Sequence, residues 1–136
     1  MNIPKFRAWL KSAEKMIDVH VINFKSGYVF CIGEEVDGIN EWDSYSLDGA
    51  ALMQSTGLTD KNEREMFLDD VLKFDNGELF QVINLDKTAR FALQGLQTGK
   101  LRWFRADSTY AYNEFEVLPH WFEIIGNIHE RNLINV

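Results

Sequence analysis

Proline and cysteine are almost missing from this chain, and each shortage excludes something. Pro4 and Pro119 are the only prolines among 136 residues, so nearly every backbone N–H can join a strand ladder. Cys31 stands alone, which excludes an internal disulfide and suits a reducing compartment. Its neighbours in "YVFCIG" are apolar, marking a buried strand thiol rather than a nucleophile. No apolar run approaches the roughly 20 residues of a membrane-spanning helix. The N-terminal "MNIPKFRAWLKSAEKM" lacks the uninterrupted apolar core of a signal peptide. A cytoplasmic protein without a membrane partner is the expectation.

Basic charge is also scarce. Fourteen Lys and Arg stand against 21 Asp and Glu, a net charge of −7, which counts against a dedicated DNA binder. The distribution is uneven. From Glu34 to Asp48 there are six acidic residues (Glu34, Glu35, Asp37, Glu41, Asp43, Asp48) and no basic one. From Lys87 to Arg105 there are five basic residues (Lys87, Arg90, Lys100, Arg102, Arg105) and no acidic one. A globally acidic chain can therefore present a locally basic face.

Motifs of known chemistry are missing as well. His20, His120 and His129 are too far apart for a short metal-binding spacing, and no metal or cofactor is expected. "GLQTGKL" at 95–101 fails the spacing of a phosphate-binding loop, and Leu101 stands where a magnesium-binding hydroxyl belongs. Ser44, Ser46 and Ser55 have no adjacent histidine or oxyanion glycine motif. Asp69 and Asp70, with His120, are the nearest approach to an acid–base set, and a polar strand entry accounts for the two aspartates.

What is present is β-forming sequence cut by turns. Hydrophobic residues make up 46% of the chain and charged residues 26%, ordinary for one globular domain spanning residues 1–136. Neither a linker nor a repeat interrupts it. "VLKFDNGELFQVI" alternates up to Asn76-Gly77 and resumes at Leu79, a hairpin whose turn is expected to place Asn76 at positive φ. "VHVINF" and "GYVFCIG" form a second hairpin around Lys25-Ser26-Gly27, with Asp-Gly turns at 37–38 and 48–49 and Thr-Gly at 98–99. "FEVL" and "WFEIIGNI" read as closing strands around Pro119. Closely spaced turns between aromatic and β-branched runs argue for a mainly-β chain, a small coiled sheet or pseudo-barrel. In "FRAW", Phe6 and Ala8 alternate with Arg7 and Trp9, and Trp9 is expected in the core, with a base-stacking platform as the alternative.

"LMQSTGLTDKNEREMFLDDVLKF" at 52–74 reads two ways. Asp60 followed by Glu63 has the spacing of a helical capping box, while "DKN" is equally a turn signal. Three passages resemble the YopX family: "KFRAW" at 5–9 with "KM" at 15–16, "LMQSTGLTDKNEREMF" at 52–67, and "FEIIGNIHE" at 122–130. They lie at the start, middle and end of the chain in the family's order. Ser55 stands where the family has an aromatic; Glu63 and Asp69 stand where it has glycines; "RNLINV" lacks the family's proline. The resemblance implies a mostly-β coiled sheet with at most one or two short helical turns, a turn at 60–64 and a strand at 69–75. It also implies a protein encoded by phages or prophages, with no assigned chemistry.

The expectation for function is a non-enzymatic accessory or binding module in the bacterial host cell. Its acidic segment, with Glu34, Glu35, Asp37, Glu41 and Asp43, would meet a protein partner or the basic segment of another copy, giving a homo-oligomer. The first rival is a nucleic-acid surface built from Lys87, Arg90, Lys100, Arg102, Trp103 and Arg105, where bases stack between cations. Without that segment nine basic residues face 21 acidic ones, −12, so nucleic acid is not the favoured partner. An enzyme whose site forms only in three dimensions is the second rival.

Overall fold

The computed structural model describes residues 5–85, 90–104 and 116–130. The described residues are 64% strand and 6% helical, mainly β, with a sheet curled into a half-barrel. Its contacts divide into two compact units, Met1–Gln54 and Ser55–Val136.

In the first unit β1 (Phe6–Leu10) lies antiparallel to β2 (Lys15–Val19) and to β6 (Ala50–Thr59). A second sheet has the order β3 (Val21–Asn23), β4 (Tyr28–Val36), β5 (Ile39–Ser46), all antiparallel. The β4–β5 turn is the two-residue Asp37-Gly38 pair, at φ 53 and 78, the left-handed geometry that two-residue hairpins require. Ala8, Leu10, Ile17, Val29, Cys31 and Ala50 form the core of this unit. Ala8 and Leu10 take the inward face of β1, so period-2 alternation turns Trp9 to the other face, where it is half-buried rather than part of that core.

In the second unit the far end of β6 pairs with β7 (Glu65–Phe67). β8 (Asp70–Phe74), β9 (Leu79–Leu85), β10 (Arg90–Gly95) and β11 (Leu101–Phe104) follow as an antiparallel meander. β12 (Glu116–Val117) joins β11 in parallel, and β13 (Phe122–Asn127) returns to pair with β8, giving the order β12-β11-β10-β9-β8-β13. Met66, Leu72, Phe80, Val82, Leu93, Phe122 and Ile124 form its core. Helix among the described residues is confined to single 3-10 turns at Leu47–Gly49 and Pro119–Trp121.

The β8–β9 hairpin is where the sequence places it, but the turn works differently. Gly77, not Asn76, is left-handed, at φ 89. Phe74 N donates to Glu78 O at 2.9 Å and Gly77 N to Phe74 O at 2.9 Å, closing a three-residue loop. Asn76 supplies only its Oδ1, which accepts from Glu78 N at 2.8 Å on the surface. Gly77→Ala is therefore expected to cost about 1–2 kcal/mol, the left-handed penalty, whereas Asn76→Ala loses one exposed hydrogen bond, about 0.5–1.5 kcal/mol. Urea melts of the two variants check the order.

The passage at 60–64 is a turn. Asp60 Oδ1 accepts from Asn62 N and Arg64 N, both at 2.9 Å, and Glu63 sits at φ 63, which no helix allows. The turn covers an edge. β13 is the last strand of its sheet, and Lys61 N donates to Phe122 O at 3.0 Å while Ile124 N donates to Asp60 Oδ2 at 2.9 Å. Backbone groups that would otherwise invite another strand are used up.

Candidate functional site

Among the described residues eight large apolar side chains stand exposed, and they fall in two places. Six of them, Val21, Phe24, Tyr28, Ile32, Ile39 and Trp42, belong to β3, β4, β5 and their turns. Cross-strand register explains how. Val21 pairs with Phe30 and Ile32 with Trp42, and alternation puts these with Tyr28 on one face of the sheet. The other face carries Val29 and Cys31 into the core, with Ile22 and Tyr45 packed beside them. Phe24 is 74% exposed, Ile39 68% and Trp42 54%, too open for core positions. Apolar and aromatic side chains gathered this way mark an interaction surface. Asp37, Glu41 and Asp43 are exposed as well; Asp37 lies in the β4–β5 turn, while Glu41 and Asp43 flank Trp42 in β5 and so point to the opposite face, with Asp43 standing across from Cys31. Glu34 and Glu35 fall in β4, but their side chains lie outside the described residues.

Behind this face is a cavity of about 360 Å³, whose walls include Lys15, Asp18, His20, Cys31, Asp43 and Tyr45. Gly33 makes room there: a Cβ on it would meet Asp43 Oδ2 at 2.8 Å and Glu41 O at 2.9 Å. His20 Nδ1 accepts from Ile32 N at 3.2 Å, and the ring meets Trp42 edge-on at 6.2 Å. Burial pushes the Cys31 thiol up, the Asp43 carboxylate adds to it, and the thiol stays protonated at neutral pH.

The other two exposed apolar residues, Leu96 and Leu101, flank the β10–β11 turn beside exposed Lys100. That turn is closed by Gly95 N donating to Lys100 O and Gly99 N to Gly95 O, each at 2.9 Å. Arg102 pairs with Leu93 and Trp103 with Ala92, so the two lie on opposite faces of β11. Both are half-buried. Lys87 and Arg105 lie outside the described residues, as does the side chain of Arg90.

The aspartate pair is occupied. Asp70, 1% exposed, accepts from Phe67 N at 2.8 Å. Asp69 is left-handed at φ 70, accepts from Gln81 Nε2 at 3.1 Å, and has His129 Nε2 3.0 Å from its Oδ2. Its backbone O takes Ile128 N at 2.8 Å. The histidine beside the aspartates is thus His129, whereas His120 is exposed against Trp121. No spacing in the sequence signals a contact sixty residues long. Among the described residues no three His, Cys, Asp or Glu side chains are placed to hold a metal ion, and no helix is long and apolar enough to cross a membrane.

Fold and surfaces define a mainly-β protein with a curled sheet, a three-stranded sheet with an exposed apolar face and exposed acidic residues, and a hairpin tip bearing an exposed lysine. A sequence model described as "YopX protein" matches residues 5–134, and the chain belongs to the YopX family. It is similar to the crystal structure of protein EF1440 from Enterococcus faecalis, with a TM-score of 0.50 and 26% identity over 98% of this chain and 99% of that one. No curated protein matches.

Proposed function

We propose that this YopX protein is a phage- or prophage-encoded accessory protein of the bacterial cytoplasm that acts without catalysis, by self-association. The acid-bearing sheet of β3, β4 and β5 on one copy takes the Lys100 tip of the β10–β11 hairpin on the next. One observation carries the reading: the exposed apolar residues divide between the β3–β5 sheet, whose turn and last strand also carry exposed Asp37, Glu41 and Asp43, and the β10–β11 turn, which carries exposed Lys100. Apolar patches of opposite rim charge complement each other, and like-charged faces do not. The structural employment of Asp69 and Asp70 supports a non-enzymatic role.

Such a contact joins unlike surfaces, so it closes as a reciprocal two-fold pair or propagates into rings or open chains. Sedimentation velocity over a concentration series at physiological ionic strength is expected to give species larger than the monomer. Raising salt toward 1 M shortens screening from about 8 Å to about 3 Å and is expected to reduce association. A monomer at every concentration would overturn the proposal.

A further inference from the structure

Beside its exposed apolar face, the three-stranded sheet of the first unit has a free edge. β5 is the last strand of the order β3-β4-β5 and runs from Ile39 to Ser46. The hydrogen-bond phase fixes which of its backbone groups turn outward. Leu47 N donates to Gly27 O at 2.9 Å, and alternation from that pair leaves Phe30–Ser44 and Ile32–Trp42 as non-bonded pairs. The far side of β4 agrees: Phe30 O takes His20 N at 2.9 Å and Ile32 N donates to His20 Nδ1 at 3.2 Å, both away from β5. The N–H and C=O groups of Trp42 and Ser44 therefore point out of the sheet edge, and no described residue bonds them. Elsewhere such groups are covered. The turn at Asp60 and Lys61 occupies the edge of β13, and the His20 ring caps β4 where β3 ends. An edge left open is a template for one more strand.

Side chains select the occupant. Trp42 and Ser44 face one way, Glu41 and Asp43 the other, and both carboxylates are exposed. In an added antiparallel strand the residues opposite Trp42 and Ser44 exchange backbone hydrogen bonds with them. Those opposite Glu41 and Asp43 fall in non-bonded pairs, with Cα atoms about 4.5 Å apart and side chains at their closest. Opposite charges are favourable at such positions and like charges destabilising. A second β5 centred on Trp42 would set one copy's Glu41 against the other's Asp43, so the edge is poorly matched to itself there. Asp43 Oδ2 leans toward β4, over Gly33, so the cation opposite it needs a long side chain. Trp42, 54% exposed, offers an apolar neighbour on the other face. The complementary strand runs basic, apolar, basic.

We propose that the β5 edge binds an extended segment of another protein, paired antiparallel through Trp42 and Ser44, with Lys or Arg opposite Glu41 and Asp43 and an apolar residue between them. Nuclear magnetic resonance titrations of the full chain carrying Lys100→Glu test it. That substitution removes the cation of the hairpin tip, so failure at the edge and failure of the self-association reading are separate results. The peptide Thr-Thr-Lys-Val-Lys-Thr-Thr, added to millimolar concentration, is expected to shift the Trp42 and Ser44 amides saturably. Its counterpart with Glu-Val-Glu at the centre is expected to shift neither. N-methylating the peptide valine removes the N–H that Trp42 O would accept and is expected to weaken binding about tenfold. N-methylating either lysine, whose N–H would face away from β5, is expected to change affinity by less than about twofold. Glu41→Gln and Asp43→Asn are each expected to weaken binding several-fold while leaving the rest of the spectrum in place, which certifies their folds. The proposal is overturned if no saturable shift appears, if the glutamate peptide binds equally, if valine and lysine N-methylation act alike, or if neither variant changes the affinity.

Discussion

Asp60→Ala is expected to destabilise the protein by about 2–4 kcal/mol, because buried or half-buried donors lose a charged acceptor. The side chain is 3% exposed and its two oxygens hold Asn62 N, Arg64 N and Ile124 N. The first two bonds shape the turn and the third binds it to β13, so one substitution loosens both turn and sheet edge. Asp60→Asn is expected to cost less. Its carbonyl can keep Asn62 and Arg64, but its amide would face the Ile124 N–H, donor against donor.

The same residue sets a pH dependence. Burial pushes the Asp60 carboxyl up and is the largest single influence, yet the Ile124, Arg64 and Asn62 N–H groups and the Arg64 charge together hold it below the ordinary carboxylate range. Its folded value thus lies below its unfolded one. The stability it contributes is complete above the unfolded value, about pH 4, and is lost as pH falls through the folded value. The advantage of the native protein over Asp60→Asn should accordingly shrink in acid, in urea melts taken from neutral pH downward. A gap unchanged down to low pH would place no charge at Asp60.

Phe122→Ala is expected to cost about 3–5 kcal/mol, a large part of a small protein's stability. Phe122 is 1% exposed and touches the rings of Phe74 and Phe80, so its removal opens a hole between β13, β8 and β9. Thermal melts of Phe122→Ala and Trp9→Ala should rank them in that order, since Trp9 is only half-buried. The reverse order would put the core on the wrong side of β1.

Turns were legible because their chemistry is local. Asp37-Gly38 and the Asn76-Gly77 region announce themselves, although which residue of the second pair is left-handed, Gly77, depends on the three-residue loop that closes there. The passage at 60–64 was ambiguous because Asp60 can cap a helix or a turn with the same carboxylate. Its Oδ2 chooses, and its partner Ile124 is 64 positions away. Glu63 and Asp69 hid the turns further, as both occupy left-handed positions, φ 63 and 70, without being glycine. The apolar face of β4 was invisible for another reason. "YVFCI" is apolar at every position, so alternation gives no sign of which face is exposed, whereas only Val29 and Cys31 point into the core.

Self-association through unlike surfaces is the central claim, and one mixing experiment tests it most directly. Lys100→Glu spoils the hairpin tip and keeps the apolar face; Trp42→Glu spoils the face and keeps the tip, and both side chains are exposed, so both variants should fold. Each alone is expected to sediment as a monomer. Mixed in equal amounts, they retain one intact pairing, the face of the first with the tip of the second, and should form a dimer that grows no further. A mixture that stays monomeric, or either variant self-associating alone as the native chain does, would contradict the account.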